Sequence, residues 1–272
     1  MLKRKIYLLA RWSAAFAACC FAAAQIPLSA QTANDNDAWL TQTARLYYSS
    51  AKAGLKGFDC TLRPDWHALY ATNGSSMSAS DQQNIATLNQ VGIVLHARMK
   101  GGSTMDWNPP AQLNSDQSSL VGNMHDALNQ TIVEGFMQFW TPFIENSVVP
   151  ESSDGLEMTA ISDGGRKIHA KDSDSEVDET FDSGRILRQY NVVMTSARIE
   201  VTPTYSPSAQ GMIISHFHAF IHPADSTAAT QEMNVEVQYE TIDSFPLPTH
   251  LIMEVTGVAT LHVALEGCSV QK

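Results

Sequence analysis

Cysteine is scarce in this chain: 272 residues hold four, of which Cys19 and Cys20 lie in an apolar N-terminal segment and only Cys60 and Cys268 lie beyond it. There is no CxxC pair, which argues against a thioredoxin-like redox site. Positive charge is also scarce, with 17 Lys and Arg against 28 Asp and Glu and a net charge of −11. Phosphate backbones and anionic lipid surfaces repel such a chain, so nucleic acid is not an expected partner. The sequence carries no GxSxG elbow, HExxH helix, Walker loop, GxGxxG turn or calcium-loop spacing, which leaves the common nucleophile, metallopeptidase and nucleotide-binding signatures without support. No Pro/Ser/Gly linker is long enough to separate the chain into domains, and no internal repeat stands out.

What is present begins at the N-terminus. Lys3, Arg4 and Lys5 form a basic region, Ile6 to Ala24 is largely apolar, and LSA at 28–30 offers small residues before the polar QTANDND. That architecture predicts a secretory signal peptide over residues 1–30 and a single exported domain over 31–272. Arg11 and Ser13 interrupt the apolar run, which disfavours an uncleaved membrane anchor. FAAC at 16–19 is an imperfect lipobox, and lipid attachment at Cys19 is the alternative N-terminus. Signal removal leaves 13 of the 17 basic residues against all 28 acidic ones, a net of −15. It also leaves two cysteines, and in an exported chain the expectation is a Cys60–Cys268 disulfide and a periplasmic or secreted location.

Hydrophobic periodicity divides the rest into helices and then strands. Trp39, Leu40, Ala44, Tyr47 and Tyr48 recur near a helical period over 37–56. GFDCTLRPDW reads as a structured turn, DWHALY as a short helix, and SASDQQNIATLNQ as another with Ser80 as its cap. VGIVLHARM alternates strictly, and KGGS turns it into TMDW as a β-hairpin. The longest helix is predicted at about 116–146, with Leu120, Met124, Leu128, Ile132, Phe136, Trp140 and Phe143 on one apolar stripe. From Leu156 onward the chain reads as hairpin-punctuated strands, with SDGG and DSG as turns. Helices followed by meandering strands predict an α+β fold, an antiparallel sheet covered on one face by helices.

Within this pattern, TFDSGRILR and VEVQYETIDSFPLPTHLIMEV resemble the strand–turn–strand steps of the LolA/LolB-like superfamily of periplasmic lipoprotein carriers. The resemblance covers residues 155–268. It implies a curved, open half-barrel whose helices plug an apolar cavity that takes acyl chains. The cavity arginine of those carriers has no matching position here, so no functional residue is carried over. The cavity candidates are instead read from the broad apolar face of the long helix: Phe136, Met137, Phe139, Trp140 and Phe143.

Titratable groups offer less. GMIISHFHAFIHP places His216, His218 and His222 on one face of a strand with Met212, Ile214 and Phe220, about 7 Å between neighbours. His216 and His218 have a spacing that can hold a metal, with His222, His250 or Asp225 as further ligands. The opposite face, Ile213, Phe217, Ala219 and Ile221, suits a core, so surface histidines are the expectation. Glu134 lies at the apolar border of the long helix, where burial would raise its carboxyl. DSDSEVDE at 172–179 reads as a solvated hairpin edge and DGGRK at 163–167 as a turn.

These observations leave three functions open. The favoured one is a non-enzymatic binding or carrier protein holding a lipid or other apolar small molecule between sheet and helices, with no cofactor and an envelope protein as a possible partner. The alternatives are a metal-dependent extracytoplasmic enzyme using His216 and His218, and an envelope structural or assembly factor with a filled core.

Overall fold

The computed structural model describes residues 32–70, 77–100, 102–145, 148–225, 229–256 and 259–272. The expected signal segment and Cys19 therefore lie outside the described residues. Twelve strands hydrogen-bond in the order β3-β2-β1-β12-β11-β10-β9-β8-β7-β6-β5-β4, an antiparallel sheet that does not close on itself. The described residues divide into two compact units, one built from 50–141 and 236–272, the other from 32–49 and 142–235.

In the first unit, β1 (Gly57–Pro64) lies between β2 (Gly92–Arg98) and the final strand β12 (Ala259–Gln271), and β3 (Thr104–Asn108) forms the edge beyond β2. The hairpin over 91–107 is as the alternation predicts, with Ile93 opposite Trp107 and Leu95 opposite Met105. The segment read as a structured turn is instead β1. Phe58, Cys60 and Leu62 are buried on one face while Asp59, Thr61 and Arg63 alternate with them. So short an alternation between a glycine and a proline cannot separate a strand from a turn by pattern alone; pairing on both edges decides it. A register shift between Asp59 and Thr61 accommodates the Cys60–Cys268 disulfide, whose Cα atoms are 4.2 Å apart.

Helices of this unit include α3 (Trp66–Tyr70), α4 (Ala79–Leu88) and α5 (Ser115–Leu128). The cap of α4 is Ser78 rather than Ser80: its hydroxyl accepts from the Asp81 N–H and the Asp81 carboxylate accepts from the Ser78 N–H. This reciprocal pairing satisfies two orphan donors, which a lone serine two residues later cannot do. Asn114 and Gln117 cap α5 in the same way.

The long predicted helix is not uniform. After α5 the chain widens into a π-helix over Asn129–Met137, then returns to α6 (Gln138–Glu145), which crosses into the second unit; the predicted end at 146 lies outside the described residues. The wider turn puts both Ile132 and Val133, and both Phe136 and Met137, into the interior. Trp140 is fully buried, stacked on Phe136 and edge-on to Phe58, and its indole N–H donates to the Tyr239 hydroxyl at 2.7 Å. Trp140 is therefore an interior residue. Trp140→Ala should cost roughly 3–5 kcal/mol, because it removes that packing and the indole hydrogen bond to Tyr239. Chemical denaturation measures this, and a loss below about 1 kcal/mol would contradict the packing.

In the second unit, α1 (Thr32–Ala44) precedes the strands, and α2 (Ser50–Ala53) begins the first unit. The helix expected over 37–56 is thus interrupted. The cause is tertiary: Met212 N–H donates to the Leu46 carbonyl at 2.7 Å and the Tyr48 N–H donates to the Met212 carbonyl at 2.9 Å, so sheet pairing displaces helical bonding. Gly211 permits this approach, since a Cβ there would meet the Tyr47–Tyr48 backbone at 2.8 Å.

The strands are β4 (Glu157–Ala160), β5 (Arg166–Lys171), β6 (Ser175–Phe181), β7 (Leu187–Met194), β8 (Ala197–Ser208) and β9 (Gly211–Pro223). β10 (Gln231–Ile242) runs from this unit into the first, where β11 (Phe245–Val255) joins it through Asp243 and Ser244, both at positive φ. DGGRK is the turn it reads as: the Asp163 carboxylate accepts from the Gly165 N–H, and any side chain at Gly165 would run into the Phe181 carbonyl.

Candidate functional site

Strand register in the second unit sorts its side chains into two faces. Ile168, Glu179, Tyr190, Val201 and Ala219 stand opposite one another on successive strands and share one face. Ile168, Val201 and Ala219 are at most 1% exposed, which makes this the core face. The adjacent row, His169, Asp178, Asn191, Glu200 and Phe220, belongs to the other side.

The histidine strand β9 carries its ring nitrogens on that outer side. His218 Nε2 lies 2.8 Å from Glu232 Oε1, His222 Nε2 lies 3.4 Å from Glu200 Oε1, and the Phe220 ring sits between the two imidazoles. The alternation assumed from sequence fails below His216. A bulge puts Thr204 opposite His216 but Tyr205 opposite Ile214, and Ile213 and Ile214 are both buried. Ile214 is thus a core residue and does not share the histidine face; the extra residue of a bulge has no signature in a period-two pattern. Among the described residues no three His, Cys, Asp or Glu side chains are grouped to hold a metal ion. His216→Ala with His218→Ala should leave folding intact and cost well under about 2 kcal/mol. A tight equimolar zinc that the double variant lost would reverse this assignment.

The cavity candidates separate between the units. Phe136, Met137 and Trp140 are buried in the first, whereas Phe143 packs edge-on against Tyr190 of β7 in the second; Phe139 is half-buried. Glu134 is half-buried and accepts a hydrogen bond from the Asn129 side-chain amide.

The unexpected feature is Glu179. It is the last residue of the acidic run DSDSEVDE, whose other members behave as a solvated edge: Asp172 accepts turn N–H groups, Glu176 pairs with Lys171, and Asp178 pairs with Lys167 and His169. Glu179 alone points inward. It is 9% exposed, and its Oε2 has no hydrogen-bond partner among the described residues. Desolvation pushes its carboxyl up to about 8. The available signal was the alternation of SEVDETF, which puts Glu179 on the face of Val177 and Phe181; runs of acidic residues mask that phase.

Two phenols lie within electrostatic reach of this carboxyl. The Tyr205 hydroxyl is buried and also unpartnered among the described residues, although the residue as a whole is only half-buried. The Tyr47 ring meets that of Tyr205 edge-on at 5.1 Å. Tyr47 is itself fully engaged: its hydroxyl donates to the Arg185 carbonyl at 3.0 Å and accepts from the Leu187 N–H at 2.7 Å. Burial raises both phenols above their ordinary range, with the Glu179 charge acting in the same direction. Trp39 of α1 closes on Phe181, and the Arg166 guanidinium lies over the Trp39 ring.

A second polar cluster lies in the first unit. Both ring nitrogens of His96 are occupied, Nδ1 at 2.7 Å from Asp59 and Nε2 at 3.1 Å from Asp106, and these bonds raise its pKa. Burial works to raise Asp59, but hydrogen bonds from His96, Arg98 and Gln271 outweigh it and hold that carboxyl low. With no ring nitrogen left over, this imidazole pins three strands together and has no position for proton transfer to a substrate.

No protein-family model, curated protein or solved structure matches this chain.

Proposed function

We propose that this is an extracytoplasmic binding protein, a carrier whose ligand combines an apolar body with a hydrogen-bonding head. The observation that carries the reading is Glu179, a buried carboxyl set in an otherwise apolar cross-strand row, whose Oε2 has no partner among the described residues. An unpaired buried polar group costs about 1–3 kcal/mol, and more once charged. Such a group is retained where function needs it, and perturbed acids concentrate at binding and catalytic sites. The Tyr205 hydroxyl is a second buried group of this unit without a partner among the described residues.

Aromatic side chains around these groups, Trp39, Phe143, Phe181 and Tyr190, suit the apolar body. The first two come from helices, which supports a sheet covered on one face by helices, as in the lipoprotein carriers that the sequence resembles. Export is supported by the signal-like N-terminus and by the Cys60–Cys268 disulfide, a bond that persists in oxidising compartments. No helix among the described residues is long and apolar enough to cross a membrane.

Native mass spectrometry of the protein purified from an oxidising compartment, followed by titration with fluorescent fatty acids, alcohols and amines, tests the reading. Retained lipid-like mass or binding at micromolar concentration is expected. A protein that arrives empty and binds none of these probes is not a carrier.

A further inference from the structure

We infer that the buried carboxyl of Glu179 is the anchor that recognises a protonated amine carried on an apolar body. This inference rests on the binding reading above and names its ligand class.

Among the described residues no ion pair joins Glu179 to a cation of the second unit, and burial is the single influence on its carboxyl. Arg166 donates to the Asn36 side chain and covers Trp39. Lys167 and His169 are bound to Asp178 on the outer face. Arg188 is held by Asp182 at 2.6 Å and is more than half exposed, and Arg198 pairs with Glu200. A buried carboxylate without a counter-charge is costly, and an incoming ammonium is the group that compensates it completely. The edge-on Tyr47–Tyr205 pair, within electrostatic reach of the carboxyl, offers ring faces to a cation and, at Tyr205, a hydroxyl without a partner among the described residues. The Tyr47 hydroxyl cannot serve instead, because the backbone at Arg185 and Leu187 already uses it as both donor and acceptor.

Competing head groups fit less well. A fatty carboxylate would bring a second acid against Glu179, and the two could coexist only by sharing a proton. An alcohol can hydrogen-bond the carboxyl but brings no charge. The chain's own excess of acidic over basic residues also draws cations towards it.

The titratable groups within electrostatic reach of the carboxyl are the phenols of Tyr47 and Tyr205, and the Asp182–Arg188 pair acts on the Tyr47 phenol in turn. With burial placing the Glu179 carboxyl near 8, it holds its proton at neutral pH in the free protein. Binding is therefore an exchange: the ammonium enters intact, the carboxyl O–H bond breaks, and one proton leaves to buffer.

Titration calorimetry on the full chain, stripped of lipid, at pH 7 in two buffers of different ionisation heat, tests this with dodecylammonium, dodecanol and dodecanoate. Dodecylammonium should bind at least tenfold tighter than dodecanol and release close to one proton. Glu179→Gln, which keeps shape and packing, should abolish proton release and weaken the amine at least tenfold while leaving dodecanol within about twofold. Tyr205→Phe should weaken the amine several-fold, and Glu200→Gln on the outer face should change nothing. Thermal unfolding of each variant reports that it is folded. The inference is overturned if the amine binds no tighter than the alcohol, or if Glu179→Gln keeps amine affinity and proton release. Binding of dodecanol alone would overturn the amine site and spare the carrier reading, whereas failure of all three probes would remove both.

Discussion

Replacing Cys60 and Cys268 together by serine is expected to lower the unfolding midpoint by about 10–20 °C, the largest effect of any change considered. The bond joins residues 208 apart in sequence, from the first strand to the last. In the chain-entropy model, closing a loop of that length removes denatured-state freedom worth about 5 kcal/mol at 25 °C, an upper figure where the reduced chain keeps residual structure. The native state loses little in exchange, because β1 and β12 remain paired through Gly57–Gln271 and Leu62–Leu265 on either side of the bridge. Thermal unfolding with and without reductant measures it: the wild-type protein under reductant should coincide with the double variant. A midpoint unchanged by reduction would show that the bridge contributes nothing to stability.

Stability should also fall on the alkaline side, and Glu179→Gln should remove most of that fall. Glu179 has its carboxyl raised from an ordinary 4.5 to about 8 by burial. Between those values the native protein holds a proton that the unfolded chain releases, so stability declines as pH rises through the window. The full decline corresponds to at most about 5 kcal/mol, because each pH unit between the two values is worth about 1.4 kcal/mol. Below an ordinary carboxyl's 4.5 the group makes no difference between the states. His96 adds a smaller decline of the same sign: with its pKa raised by Asp59 and Asp106, its contribution is complete below about 6.5 and disappears as pH rises past the folded value. The Asp59 and Asp178 carboxyls, held low by their partners against burial, act at the opposite end and are lost as pH falls below about 4. Urea unfolding at pH 5 and pH 9 separates these. Glu179→Gln should match wild type at pH 5 and exceed it by several kcal/mol at pH 9. Equal slopes against pH in the two proteins would show that Glu179 ionises freely in the folded chain.

Both effects arise from single side chains, yet they were not equally legible. Cys60 and Cys268 could be paired from sequence because so few cysteines exist. Glu179 could not be singled out, because its neighbours Asp172, Glu176 and Asp178 are solvated and paired, and composition averages over all of them. The same limit applied to β9, where alternation correctly gave Phe217, Ala219 and Ile221 to the core but misassigned Ile214 beyond a bulge.

Local period and counting were enough for a large share of the architecture. Alternation and turn chemistry predict the strands from Glu157 onward and the hairpin of Gly92–Arg98 with Thr104–Asn108, and a count of two cysteines predicts the disulfide. The short helix at Trp66–Tyr70 is equally local. Distant partners settled the places where local preferences compete with them. Leu46 and Tyr48 left their helix for the backbone of Met212, a separation that no local window spans. GFDCTLRP became a strand because β2 and β12 both had edges to satisfy. The long helix opened into a π segment and drew Ile132 and Val133 inward together. Glu179 acquired its unusual carboxyl from Ile168, Tyr190 and the phenols around it, since burial is a property of what surrounds a residue and not of the residue itself.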